Sequence, residues 1–134
     1  MQILDIVTQA LRQVGIIDAT ESPSAEDGAN ALRNLNRMMA TMAEDGIDLG
    51  YAPTDTLTDT WACPLGAVST IEALLSLKEA SDRGIDPPLV VVGMADRGYQ
   101  RLLGRAVSAQ IERTQSATLP LGQNRIGRYN ILTG

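Results

Sequence analysis

The stretch SPSAEDGANALRNLNRMMATMAEDGI, residues 22–47, decides the fold class. Gly28, Leu32, Leu35, Met39 and Met42 recur at intervals of four, three, four and three, the period of one helix face. Ala31 and Met38 widen that face. Ser24 stands where an N-cap hydroxyl meets the backbone N–H of Asp27, in an incomplete capping box. Gly46 follows the last periodic residue as a stop. The spacing predicts a helix from Ser24 to about Glu44 with one buried side. A methionine stripe of this kind serves either as core or as an adaptable groove. Core is the commoner use and the expected one.

The same period extends on both sides. Residues 2–14 place Ile3, Val7, Ala10, Leu11 and Val14 on one face, and Gly15 can end that helix. Beyond Pro64, Ala67, Val68, Ile71, Leu74 and Leu75 predict a third helix over about 65–81, with Gly84 as its stop. Pro87 and Pro88 suit the first turn of a fourth, where a missing N–H costs least. That helix is the longest, about 88–115, with Val92, Ala95, Tyr99, Leu102, Leu103 and Ala106 as its inward face. Arg97, Arg101 and Arg105 fall within 80° on the opposite face. Residues 47–65 carry no helical period. Their Thr, Asp, Gly and Pro, and the weak alternation of TDTLTDTW, predict a small hairpin or a loop docked on a neighbour. Trp61, the only Trp, is either a lid over the core or an interface anchor.

The fold class is therefore all-α: a four-helix bundle-like domain over 1–115, a long polar loop or hairpin at about 47–65, and an extended tail over 116–134. The tail holds Leu119, Leu121, Ile126, Tyr129, Ile131 and Leu132 beside Arg125 and Arg128. A segment so apolar is not composed like a solvating disordered one.

Composition excludes several functions. The 134 residues include no His and one Cys. A Ser-His-Asp triad, a Cys-His dyad, a thiolate zinc site and an intrachain disulfide are all ruled out. The acidic pairs Glu26/Asp27 and Glu44/Asp45 have no base, nucleophile or metal partner in view, and no phosphate-loop pattern occurs. No catalytic residue, metal ligand or cofactor is expected, and an enzyme is not. No apolar run approaches the ~20 residues of a membrane span. The opening MQILDIVTQAL has Asp5 in its apolar stretch and no basic lead, unlike a signal peptide.

The formal charge of −5 is unevenly spread: residues 1–67 sum to −7, residues 68–134 to +2, and Arg97 onward to +5. An acidic total argues against a protein held to nucleic acid by net charge. Ten of the eleven basic residues are Arg, whose planar fork suits carboxylates, phosphates and interfaces. The Arg stripe is thus a solvated face, a lining that meets DNA phosphates, or a contact with an acidic neighbour.

Taken together, ALRQVGIID at 10–18, the stretch at 22–47, and ADRGYQRLLGRA at 95–106 resemble the head-to-tail adaptor, or head completion, proteins of tailed bacteriophages. The likeness is greatest to the portal-binding tail accessory factor of short-tailed phages. The middle stretch carries it most specifically, through the capped helix, Leu32, Leu35 and Asn36, and the acidic-Gly turn at Asp45 and Gly46. One position departs: the family often has Trp one turn before that Gly, and here it is Met42.

The resemblance implies a helical bundle that assembles as a homo-oligomeric ring, commonly of twelve copies, beneath the portal protein. Such a ring sits in the virion at the head–tail interface. It extends the channel for double-stranded DNA, helps retain the packaged genome, and gives the tail or nozzle protein a docking surface. The tail would reach onto the portal through Leu119, Leu121, Ile126, Tyr129, Ile131 and Leu132, with Arg125 and Arg128 as charged contacts. A channel that lets DNA slide should not grip it, so Arg97, Arg101 and Arg105 fit a subunit or portal contact better than a DNA contact. The alternative from another class is a small helical nucleic-acid-binding regulator using the Arg-rich fourth helix. The turn RGIDPP before that helix does not resemble the short turn of a helix-turn-helix.

Overall fold

The computed structural model describes residues 1–118, with side chains through Glu112. Four helices follow one another: α1 (Ile3–Gln13), α2 (Ala25–Glu44), α3 (Val68–Arg83) and α4 (Leu89–Thr118). A single 3-10 turn, Leu65–Ala67, leads into α3. The all-α expectation holds. Among the described residues there is no hairpin at 47–65, and the segment is a loop docked on its neighbours. One isolated antiparallel bridge, Gln2 with Thr60, is all the β pairing it makes.

α3 is the hub. It packs against α1, α2 and α4, and α1 also touches α2. Being covered on several sides, α3 buries Thr70, Ala73, Ser76, Glu79 and Ala80 along with the expected Val68, Ile71 and Leu75. Its small residues let neighbours come close. The Ser76 hydroxyl lies 2.9 Å from the Ala10 carbonyl of α1 and 2.7 Å from the Glu72 carbonyl. At the α3–α4 crossing, a Cβ on Gly98 would collide with the Thr70 side chain, so only glycine fits there.

Ile6, Leu11, Leu35, Ile71 and Leu75 form the fully buried centre. Each contributes about 1.5–3 kcal/mol by leaving water. The stripe read on α2 is the buried one: Gly28, Ala31, Leu32, Leu35, Met39 and Met42 all face inward. Met42 is 3% exposed and part of the core. Ser24 caps the helix by accepting from the Asp27 N–H at 3.1 Å. Gly15, Gly46 and Gly84 follow the first three helices with φ of 75°, 93° and 68°, as the stop assignments require.

α4 runs Leu89–Thr118 against the expected 88–115, so residues 116–118, expected to open an extended tail, instead continue the helix. It starts at Leu89, with the Pro88 carbonyl accepting from Val91 and Val92. Val91 is buried, whereas Val92 is 38% exposed. Val91 lies one turn before Ala95 and three before Leu102, both buried, so it occupies their face.

A polar tie joins α2 to α3. Asn34, buried on α2, donates to Glu79 Oε1 at 2.7 Å and to Asp82 Oδ2 at 2.9 Å. Arg83 donates to Asp27 Oδ1 at 2.5 Å and stands 3.8 Å from Glu79 Oε2. The Arg83 bond holds the Asp27 carboxyl below its ordinary 3.8, with the Ser24 bond adding to it. Lys78 and then Asn34 do the same for Asp82. A carboxyl depressed in the folded state adds stability above its unfolded pKa and loses it as pH falls through the folded value. Chemical denaturation from neutral pH to about pH 2 should show stability falling in the acid range. Asp27→Asn should flatten that fall, and an unchanged acid slope would contradict the tie.

Candidate assembly surfaces

The Arg stripe lies on the solvent side of α4. Arg97, Arg101 and Arg105 are exposed, one helical turn apart, so their Cα atoms step by about 6 Å. The Gly98–Thr70 approach fixes α4 against α3, and that contact sets where the stripe stands. Arg101 Nη2 lies 3.4 Å from Thr70 Oγ1, and the Arg97 guanidinium lies over Gly93. Among the described residues the ion pairs are Lys78–Asp82, Arg83–Asp27 and Arg83–Glu79. None takes a cation from the stripe. No acidic residue sits in the first turn of α3 beside it. The stripe is therefore a cationic ridge in no ion pair among the described residues, and Arg105 at its end lines one cleft with Asp48 of the segment after α2.

Trp61 is 5% exposed and lies within its own domain, tilted at 44° against Tyr51 with ring centroids 5.7 Å apart. It roofs the core. Its indole Nε1 is buried without a partner. Burial also pushes the Tyr51 hydroxyl up to about 12 and raises the Cys63 thiol above its usual value. A protonated, buried thiol is a poor nucleophile.

The residue that sequence reasoning did not single out for this role is Asn36. Its Nδ2 donates to the Thr54 carbonyl at 2.9 Å, and its Oδ1 accepts from the Tyr51 hydroxyl at 2.6 Å. One amide thus pins the loop to α2. Loop carbonyls complete the attachment: Asp59 accepts from Ile3 N–H, Leu57 from Leu4 N–H. Leu57 rests over Gly28, where a Cβ would crowd it. Asp59 also binds the Thr54 hydroxyl, closing the loop on itself. The sequence marked Asn36 only as part of the family-like motif with Leu32 and Leu35, not as a tie to the loop.

The tail residues Leu119, Leu121, Arg125, Ile126, Arg128, Tyr129, Ile131 and Leu132 lie outside the described residues. No group of His, Cys, Asp or Glu that could hold a metal ion occurs among the described residues. No described helix is long and apolar enough to cross a membrane.

With a helical body, a cationic ridge and no reactive constellation on view, comparison with known families is decisive. The model of the P22 tail accessory factor family matches residues 2–133. The chain belongs to that family. It is a phage structural protein of the tail-associated kind. No curated protein matches it. For this tail accessory factor, the match runs through the loop and past the end of α4, so the family's shared part includes the tail.

Removing the loop clamp tests how this surface is held. Asn36→Ala leaves the Tyr51 hydroxyl without its acceptor and should cost about 1–3 kcal/mol. Trp61, as the only Trp, reports it directly: its emission should shift to the red before the helices melt. Coincident loss of both signals at wild-type stability would rule out the clamp.

Proposed function

We propose that the protein is a head-to-tail adaptor. Copies form a ring beneath the portal protein, extend the channel for double-stranded DNA, help retain the packaged genome, and offer the tail or nozzle protein a docking surface. The observation that carries this reading is the family match across residues 2–133, tail included. The absence of His and the buried lone Cys are consistent with work done by contact. Twelve copies is the number the family resemblance implies.

In this reading residues 116–134 dock on the portal. Leu119, Leu121, Ile126, Tyr129, Ile131 and Leu132 are the apolar anchors, and Arg125 and Arg128 the charged contacts. An extended segment can satisfy its backbone along a sheet edge or groove of the partner. Arg97, Arg101 and Arg105 meet a neighbouring subunit or the portal. Their lack of carboxylate partners within the described body supports a partner that brings them. The 6 Å step of the stripe also suits successive phosphates of a DNA strand, which keeps the channel lining as the second reading.

Two experiments separate these roles. Deleting 116–134 should abolish portal binding while the helical circular-dichroism signal of the body persists; full binding by the truncated chain would sink the docking role. Replacing Arg97, Arg101 and Arg105 together with Gln should prevent ring or portal assembly. Intact particles with altered genome retention would instead place the stripe in the channel.

A further inference from the structure

Between the start of α3 and the middle of α4 lies a cleft of about 290 Å³, lined by Ser69, Thr70, Met94, Arg97, Gly98 and Arg101. No carboxylate is in that lining. Neither guanidinium is in an ion pair among the described residues, not even Arg97 with Asp96 beside it in sequence. Glu72, the nearest acid of α3 in sequence, stands outside the lining, and burial pushes its carboxyl up. Thr70 is only 2% exposed, yet its hydroxyl is half used. It accepts from Arg101 Nη2 at a long 3.4 Å, and its own hydrogen meets no acceptor among the described residues. A buried donor without an acceptor is costly, so this position calls for an acceptor from outside.

We propose that this cleft is a phosphate site, in which Arg97 and Arg101 hold the phosphate oxygens, the Thr70 hydroxyl donates to one of them, and the exposed Ser69 adds a second hydroxyl. The donor set favours phosphate over a carboxylate. Two guanidinium forks and two hydroxyls approach from two helices. A carboxylate offers them oxygens in one plane only, whereas a phosphate presents its oxygens tetrahedrally. Ser69 and Thr70 also stand in the first turn of α3, whose dipole favours negative charge. The phosphate is either a free ion or a phosphodiester of nucleic acid, and the two share this chemistry. The site is complete in one copy, so it goes beyond the ring reading and does not rest on it. A partner's carboxylate at the ridge would compete with phosphate for Arg97 and Arg101. Arg105 lies outside the cleft.

Titrating the full chain with inorganic phosphate at fixed ionic strength tests this, read by calorimetry and by the backbone amide NMR signals of Ser69 and Thr70. Saturable binding that moves both signals is expected, and acetate at the same ionic strength should leave them in place. Arg97→Gln with Arg101→Gln should weaken binding about tenfold or more, and Thr70→Val, which keeps the side-chain shape, about threefold or more. Arg97→Lys with Arg101→Lys keeps the charge at exposed positions and should still weaken binding, because the planar forks are gone. Arg105→Gln removes one charge outside the cleft and should change nothing. Absence of saturable binding, an equal response to acetate, or an Arg105→Gln loss as large as that of the pair overturns the site. A short duplex oligonucleotide separates the sources. Its binding lost together with phosphate binding in the Arg97/Arg101 variant assigns the site to nucleic acid; phosphate binding lost alone assigns it to the free ion. All these measurements use the free chain, so their failure leaves the adaptor reading standing.

Discussion

The fold depends on α3 being covered from several sides at once. A helix in that position cannot carry only large residues, because its neighbours would be held too far apart. Thr70, Ala73, Ser76 and Ala80 are the places where α1 and α4 come close, while Ile71 and Leu75 fill the centre. The crossing at Thr70 and Gly98 is the tightest of these approaches. It fixes the direction of α4, a helix of 30 residues and about 45 Å, and with it the line of the Arg ridge. Enlarging Gly98 would push α4 outward, since a packed core accommodates added volume only by strain.

Charge then follows architecture. The acidic half of the chain makes α1, α2 and the docked loop; the basic end makes α4 and the segment after it. Three carboxylates of the body are engaged locally: Asp27 with Arg83, Asp82 with Lys78 and Asn34, Asp59 with the Thr54 hydroxyl. The Arg ridge has no such partner among the described residues. A body whose Arg ridge is turned outward and unpaired is suited to meeting another molecule. Membership of the tail accessory factor family says which kind of particle that is.

Much of this was legible in the sequence. α2 read correctly because its stripe is one-sided and capped by Ser24. α1 read for the same reason. α3 read only in part: a one-stripe pattern catches Val68, Ile71 and Leu75 but not Thr70, Ser76 or Glu79, whose burial comes from a second and third neighbour. On α4, the run LVVV offered three equivalent valines, and only packing against α3 distinguished Val91 from Val92. The polar keys were out of reach. Asn34 meets Glu79 across 45 residues, and Asn36 meets the loop across 18, and nothing in local spacing announces such pairs. Trp61 was open between lid and anchor, and the body buries it. The Arg ridge was located by periodicity alone, since exposed positions need only the helix phase.

We propose that this chain stands between portal and tail. Electron cryomicroscopy of the purified virion that carries it measures that most directly. An adaptor would appear as a closed ring of this four-helix body directly beneath the portal, with α4 cations against a neighbour and the chain's last residues reaching the portal surface. A chain placed elsewhere in the particle, or one whose copies do not touch the portal, would contradict it.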